Sequence, residues 1–307
     1  MVALRFGVES FGQCPQEVQD GFNNECSNCH ATCGDCHISI PNSAGKGFIN
    51  SHRFNRTPDQ ANNCMACHGS RIAHDFLGNY DESPPRKKDV HSSSMTCMSC
   101  HDKKEMHSAA DEKTDRYTYS ELPACEDCHS AGMDTVNAYH KVHYDSISCY
   151  VCHAQDYNNC TACHVKDEWK TDPDYQQNNP KEDFRIGLNP IRTESGQHRF
   201  KFVTLRHIPI SRDSYANWGA ASNNPPDYDK YPTWKYTSPH SINRFTSRTD
   251  TTGGKKCYDN CHTKEGFGHP DNKKYYLFTE YIDSSWPDEV NANAGVVVDG
   301  KLPDGWE

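Results

Sequence analysis

The sequence predicts a mostly irregular fold, with short α-helices and a few β-strands in the C-terminal half, built around bound groups in place of an aliphatic core. Three observations predict it. The 307-residue chain is only 34% hydrophobic, with a mean hydropathy of -0.94, too polar for an ordinary aliphatic core of this length. It carries 17 cysteines and 18 histidines, and its aromatic residues, 11% of the chain, are scattered throughout, a content that disordered chains lack. Its cysteines also recur in one short pattern, each time followed by a histidine.

In order, Cys26-Ser-Asn-Cys29-His30 is followed after two residues by Cys33-Gly-Asp-Cys36-His37. Cys64-Met-Ala-Cys67-His68, Cys97-Met-Ser-Cys100-His101 and Cys125-Glu-Asp-Cys128-His129 come next. Cys149-Tyr-Val-Cys152-His153 and Cys160-Thr-Ala-Cys163-His164 follow, six residues apart. C-x-x-C-H is the attachment signature of c-type haem: the thiols form thioethers with the haem vinyls and the histidine ligates the iron. The two cysteines must sit about one helical turn apart to reach one edge of the ring, so a short helix is expected at each unit. A zinc half-site or a redox dithiol needs no histidine after the second cysteine, yet all seven units have one. Cys257-Tyr-Asp-Asn-Cys261-His262 has one extra loop residue. A disulfide or a structural metal pair is its alternative reading, but in this company it reads as an eighth site, for eight haems c in all. Cys14 is left over, as a free thiol, a link to another subunit, or a long-loop partner of Cys29-His30. The short Cys26 unit needs no loop excursion and is preferred.

Histidine counts extend the reading. His30, His37, His68, His101, His129, His153, His164 and His262 are the proximal iron ligands. Ten others remain. His91, His140 and His143, which lie just before attachment units, lead the expected distal ligands, followed by His52, His74, His107, His207 and His240. His198 and His269 are the expected spares. Of the six methionines, Met65 and Met98 lie inside attachment loops, so histidine on both faces of each iron is expected, with low reduction potentials.

Close spacing has a functional consequence. Units two or six residues apart hold their haems close, because the chain is too short to lead them apart. A crowded array conducts electrons, and the rings supply the apolar faces that the polypeptide lacks. The fold is thus expected to be organised by a stacked multihaem core, with apoprotein largely unfolded.

Between the units the chain is polar and broken by pairs such as Pro84-Pro85 and Pro225-Pro226. The stretch 165–256 has no attachment unit. It contains a strand-like alternation at Arg199-Phe-Lys-Phe-Val-Thr-Leu205, and a second strand is expected at Lys274–Ile282. Val296–Leu302 is expected to add a hairpin edge. One domain over 1–307 is expected, a haem-dense part at 1–164 and an aromatic, strand-containing part at 165–307, because the second part carries histidines that the haems need.

The formal net charge of -10 lacks the basic face of a nucleic-acid binder. No apolar run approaches the 18 or so residues of a membrane span. Haem c is attached outside the cytoplasm, so a periplasmic or extracellular location is expected. The opening Met1-Val-Ala-Leu-Arg-Phe-Gly7 has no signal-peptide character, so the leader is expected on a precursor.

The stretch 26–164 resembles the multihaem c-type cytochromes of anaerobic, metal- and sulfur-respiring microbes, as an octahaem member. Lys88-Asp-Val-His91, Glu105-Met-His107, Leu122-Pro-Ala-Cys125 and the run from Ser148 to His164 carry the likeness, with the attachment units between them. The resemblance implies closely stacked bis-histidine haems outside the cytoplasm. Three functions compete. The first is an electron conduit, not an enzyme, whose partners are other redox proteins or further copies of itself in an extracellular filament. The second is an octahaem terminal reductase for nitrite, hydroxylamine, tetrathionate, selenite or a metal, with one open-site haem. The third is a structural or sensory module, which would not need eight sites. Several octahaem reductases carry an active-site unit ending in lysine, and no C-x-x-C-K occurs here, which favours the conduit.

Overall fold

The computed structural model describes residues 57–58, 60, 64–68, 72–78, 87–107, 122–130, 132–133, 135–158, 181–191, 199–207, 232–254, 256–262, 275–282 and 287–302. The units beginning at Cys26, Cys33 and Cys160 lie outside these residues, as do Cys14, His52, His198 and His269 and the side chain of His107. The architecture is mixed: among the described residues there are short helices, none longer than six residues, a two-stranded pairing and a small three-stranded open sheet.

The helices run α1 (Met65–His68), α2 (His74–Leu77), α3 (Cys97–Cys100), α4 (Lys103–His107), α5 (Glu126–His129), α6 (Ala138–His143) and α7 (Cys149–His153), with α8 (Pro287–Ala292) near the C-terminus. Four of them coincide with attachment units, and the Cys257 unit forms a 3-10 turn over Cys257–Asn260. At α3 and α7 the chain leaves helical geometry at or just after the histidine. At α3 the extended Thr96 donates its N–H to Ser99 Oγ at 3.0 Å, and His101 leaves helical geometry at φ -88°, ψ 103°. α6 is started by Asn137, whose Oδ1 accepts from the N–H groups of Tyr139 at 2.9 Å and His140 at 3.0 Å.

β1 (Tyr157–Asn158) pairs with β2 (Lys181–Glu182), and β3 (Arg185–Leu188), β4 (Phe202–His207) and β5 (Trp234–Tyr236) form a three-stranded antiparallel sheet with β4 in the centre. The register sets Ile186 opposite Thr204 and Leu205 opposite Tyr236. The expected strand at 199–205 therefore starts later, at Phe202. It is buried on both faces instead of alternating: Val203, Thr204 and Leu205 are fully buried. One face packs on Trp234, Tyr236, Leu277 and Val296, while the Ile186 side meets Val151, Tyr276 and Val298.

The expected strand at Lys274–Ile282 is corrected. Leu277 N–H bonds Ile186 O at 2.9 Å and Tyr276 bridges Ile186, but Thr279–Tyr281 turn into a 3-10 helix. The carboxylate of Asp299 causes the turn, accepting from Thr279 N at 2.9 Å and Oγ1 at 3.0 Å. The expected hairpin edge at Val296–Leu302 is likewise a turn, through Gly300 at φ 63°. Val296 O and Val298 N instead bond Leu188 N and Leu277 O, closing the open side of β3 without a regular ladder.

An ordinary apolar core thus exists, but only beside the sheet. Among the described residues ahead of Cys149, Ala73 is the one apolar side chain that is buried. No helix among the described residues is long and apolar enough to cross a membrane.

The tightest approach in the sheet is at Gly187, where an added Cβ would press on Leu205 Cδ1 and lie 2.6 Å from Val296 O. Gly187→Ala should therefore lower stability by about 1–3 kcal/mol, read as a lower denaturant midpoint; an unchanged midpoint would show that the strand and the Val296 turn are less closely apposed.

Candidate haem-attachment sites

α7 is the best-anchored attachment unit, and its surroundings explain why. On one side Ser148 N–H bonds Phe202 O at 3.0 Å, and Lys201 and Phe202 N–H groups bond Ser146 O at 3.0 Å, so the helix is joined to the start of β4. On the other side the loop 241–248 covers its C-terminus. Arg248, 2% exposed, donates Nε to Val151 O at 2.5 Å and Nη2 to Ala154 O, while Thr246 Oγ1 donates to Cys152 O at 2.6 Å. These are the carbonyls that a helix end leaves without partners. Asn243 then holds His153 itself: its N–H bonds His153 O at 2.8 Å, and its carbonyl accepts from His153 Nδ1 at 3.2 Å.

The same loop reaches other units. His240 stacks beside His101, and Ile242 N–H donates to Asp89 Oδ2 at 2.7 Å while its carbonyl accepts from Val90 N at 3.0 Å. α5 is fixed separately, through an ion pair of Glu126 with Arg199 at 2.6 Å.

Among the described residues four imidazole pairs result, and each joins one motif histidine to one histidine outside the motifs. His129 faces His91, His101 faces His240 and His153 faces His140, each with ring centres 6.1 Å apart; His262 faces His143 at 5.6 Å. Two imidazoles ligating one metal ion from opposite sides, through bonds of about 2 Å, hold their ring centres roughly 6 Å apart. Rotation about that axis leaves the inter-ring angle free, which accommodates observed angles from 16° to 86°. Burial pushes His143, His153 and His262 down from their ordinary titration range, favouring the neutral ring that binds metal.

The thiols form a continuous file. Cys97 is in hydrogen-bonding contact with Cys64, and Cys100 lies within electrostatic range of Cys128. Cys125 hydrogen-bonds Cys149, a contact that pushes the Cys125 thiol up and the Cys149 thiol down. Cys152 neighbours Cys257 and Cys261, and burial raises Cys152 to about 11 and Cys261 to about 12. Cys152 and Cys261 pack against one apolar cluster, which sets the Cys257 unit beside the Cys149 unit. Cys97, Cys100, Cys125, Cys128, Cys149, Cys152 and Cys261 are outside any disulfide. No three His, Cys, Asp or Glu side chains among the described residues gather around a single point as in a directly chelated metal site.

These residues fit haem c. The imidazoles are paired at the required spacing, and α6 presents exposed apolar side chains, Val142 at 71% and Tyr139 at 41%, next to two of the paired histidines. His207, expected as an iron ligand, is held differently. Its ring stacks on Trp234 at 4.7 Å and its Nε2 meets Glu289 Oε1 at 2.9 Å, inside a network completed by Thr233 and Asn293. His68 and His74 lie on α1 and α2. Sequence reasoning missed the groups behind the imidazoles, Asp89, Glu105 and Asn243; the spacings Asp89-x-His91 and His101-x-x-x-Glu105 were the available signal for two of them.

No protein-family model matches the chain, and neither curated proteins nor solved structures match it.

Arg248→Met retains bulk but removes the donors to Val151 and Ala154, a cost of about 1–3 kcal/mol for each carbonyl left without a partner. The denaturant midpoint should fall clearly below that of Arg248→Lys, which keeps one donor; equal midpoints would show that the guanidinium contacts contribute little.

Proposed function

We propose that the chain is an octahaem c-type cytochrome that conducts electrons through closely spaced, low-potential bis-histidine haems outside the cytoplasm. The observation that carries this reading is the set of four cross-pairs, each of one motif and one non-motif histidine at 5.6–6.1 Å. When bound, haem c supplies a one-electron ferric/ferrous couple at each site.

The residues divide the work. Cys97 and Cys100, Cys125 and Cys128, Cys149 and Cys152, and Cys257 and Cys261 are the thioether donors of the four paired sites, with His101, His129, His153 and His262 as proximal ligands. His240, His91, His140 and His143 are the respective distal ligands. An imidazole on both faces would leave a bound iron no open coordination position, which would suit electron transfer and not substrate reduction. The contacts between successive thiols keep neighbouring sites at the short range that electron tunnelling needs. Only two residues lie between His140 and His143, yet they face histidines of two different units, so α6 bridges two sites. The units beginning at Cys26, Cys33, Cys64 and Cys160 complete the proposed eight.

The proposed partners are other redox proteins or further copies of the chain, the latter in a filament whose terminal sites abut. The paucity of apolar core ahead of Cys149 supports a fold completed by haem.

The mass of the purified protein should exceed that of its polypeptide by eight covalent haems, with a wholly low-spin spectrum. His143→Ala, His140→Ala, His91→Ala and His240→Ala should each convert one haem to a high-spin form that binds carbon monoxide or cyanide. A high-spin, ligand-accessible haem in the unaltered protein would favour the reductase; low-spin spectra in all four variants would remove these histidines as ligands.

A further inference from the structure

The imidazole pairs differ in what stands behind their rings. His101 turns Nδ1 to the carboxylate of Glu105, 2.7 Å away, and His91 turns Nδ1 to that of Asp89 at 2.9 Å. The His153–His140 pair is backed by backbone. His140 Nδ1 meets Met133 O at 2.9 Å and His153 Nδ1 meets Asn243 O at 3.2 Å.

We propose that Glu105 and Asp89 are positioning residues that build a step in reduction potential into the array, low at the Cys97 and Cys125 units and higher at the Cys149 unit. This rests on the haem reading above. A carboxylate that accepts the ring proton draws it away and gives the iron-facing nitrogen more anionic character. Ferric iron is thereby favoured and its potential falls, whereas a neutral carbonyl in the same place does this less. Both carboxylates are well removed from solvent, Glu105 at 12% and Asp89 at 3% side-chain exposure, so water screens them little.

The two are also held in place. Asp89 accepts from Ile242 N on Oδ2 and from the His91 N–H on Oδ1, at 2.7 and 2.8 Å. Glu105 lies one turn beyond His101, and its own N–H is anchored by Asp102 Oδ1 at 3.0 Å. Neither needs to move to meet its histidine.

The fold locates the step. Arg199 pairs with Glu126 of the Cys125 unit, and Lys201, two residues on, bonds Ser146 O just ahead of α7, so the boundary between carboxylate-backed and carbonyl-backed sites falls between neighbouring units. One electron passing from the Cys125 site to the Cys149 site oxidises the first and reduces the second, without a proton or a bond change. Electrons that enter at the helical, N-terminal side of this boundary run downhill toward the sheet.

The test is a spectropotentiometric titration of the haem-loaded protein beside Glu105→Gln and Asp89→Asn, with haem mass and electron paramagnetic resonance recorded for each. In Glu105→Gln the amide oxygen still accepts the hydrogen bond but carries no charge. Haem number and low-spin state should be retained, while one component shifts to higher potential by about tenfold in its oxidised-to-reduced ratio, about 59 mV for a one-electron couple. The largest g-value of one low-spin signal should move with it. Asp89→Asn should shift a different component in the same direction, and it decides the matter alone if Glu105→Gln fails to retain its haem. A haem-loaded, low-spin variant that titrates like the unaltered protein overturns this inference and leaves the haem reading standing. A purified protein without covalent haem overturns both.

Discussion

The guanidinium of Arg248 beneath the C-terminus of α7 is the contact on which the rest of this structure depends. A five-residue helix leaves most of its carbonyls without an intrahelical partner, and here Tyr150 O is met locally, by Ala154 N–H. Arg248 and Thr246 satisfy those of Val151 and Cys152, and that of Ala154 just beyond, from a loop almost a hundred residues further on. Since Arg248 is buried, it brings its neighbours with it. Asn243 grips His153, Ile242 anchors the Asp89 strap that positions His91, and His240 arrives opposite His101. A single loop therefore sets the geometry of three histidine pairs.

That loop can be rigid because it sits on the one part of the described chain with a conventional interior. Val203, Leu205, Leu277 and Val296 are completely buried around β4. The sheet side of the molecule thus acts as a foundation, and the Cys125 unit and the Asp89–His91 strap are joined to it through Arg199 and Ile242. The rings of His153 and His140 meet backbone carbonyls, whereas those of His101 and His91 meet carboxylates from their own helix and strap.

Local structure was readable wherever it depended on neighbours in sequence. The short helices at Cys97, Cys125 and Cys149 fall where the spacing of each Cys pair leads one to expect them. The sheet was less readable. The alternation around Arg199–Leu205 pointed to a strand, but burial of both faces of β4 comes from the distant Tyr275–Phe278 and Val296–Val298 segments. Tyr275–Phe278 have the composition of a strand, and it is Asp299, remote in sequence, that bends the chain out of one. His207 shows the same limit in the site. Its residue type suited a ligand, and only the fold brought Glu289 to its Nε2.

The sequence by itself determined which residues could carry the chemistry, because C-x-x-C-H is a local geometric requirement and needs nothing from the rest of the chain. It also determined that a supply of further histidines exists. The tertiary structure alone decided which histidine faces which, that the Cys257 unit lies beside the Cys149 unit across the motif-free stretch, and what backs each ring. Those are distances between residues far apart in the chain, set by the packing of the loop 240–248 against α7 and the sheet, and no spacing in the sequence encodes them.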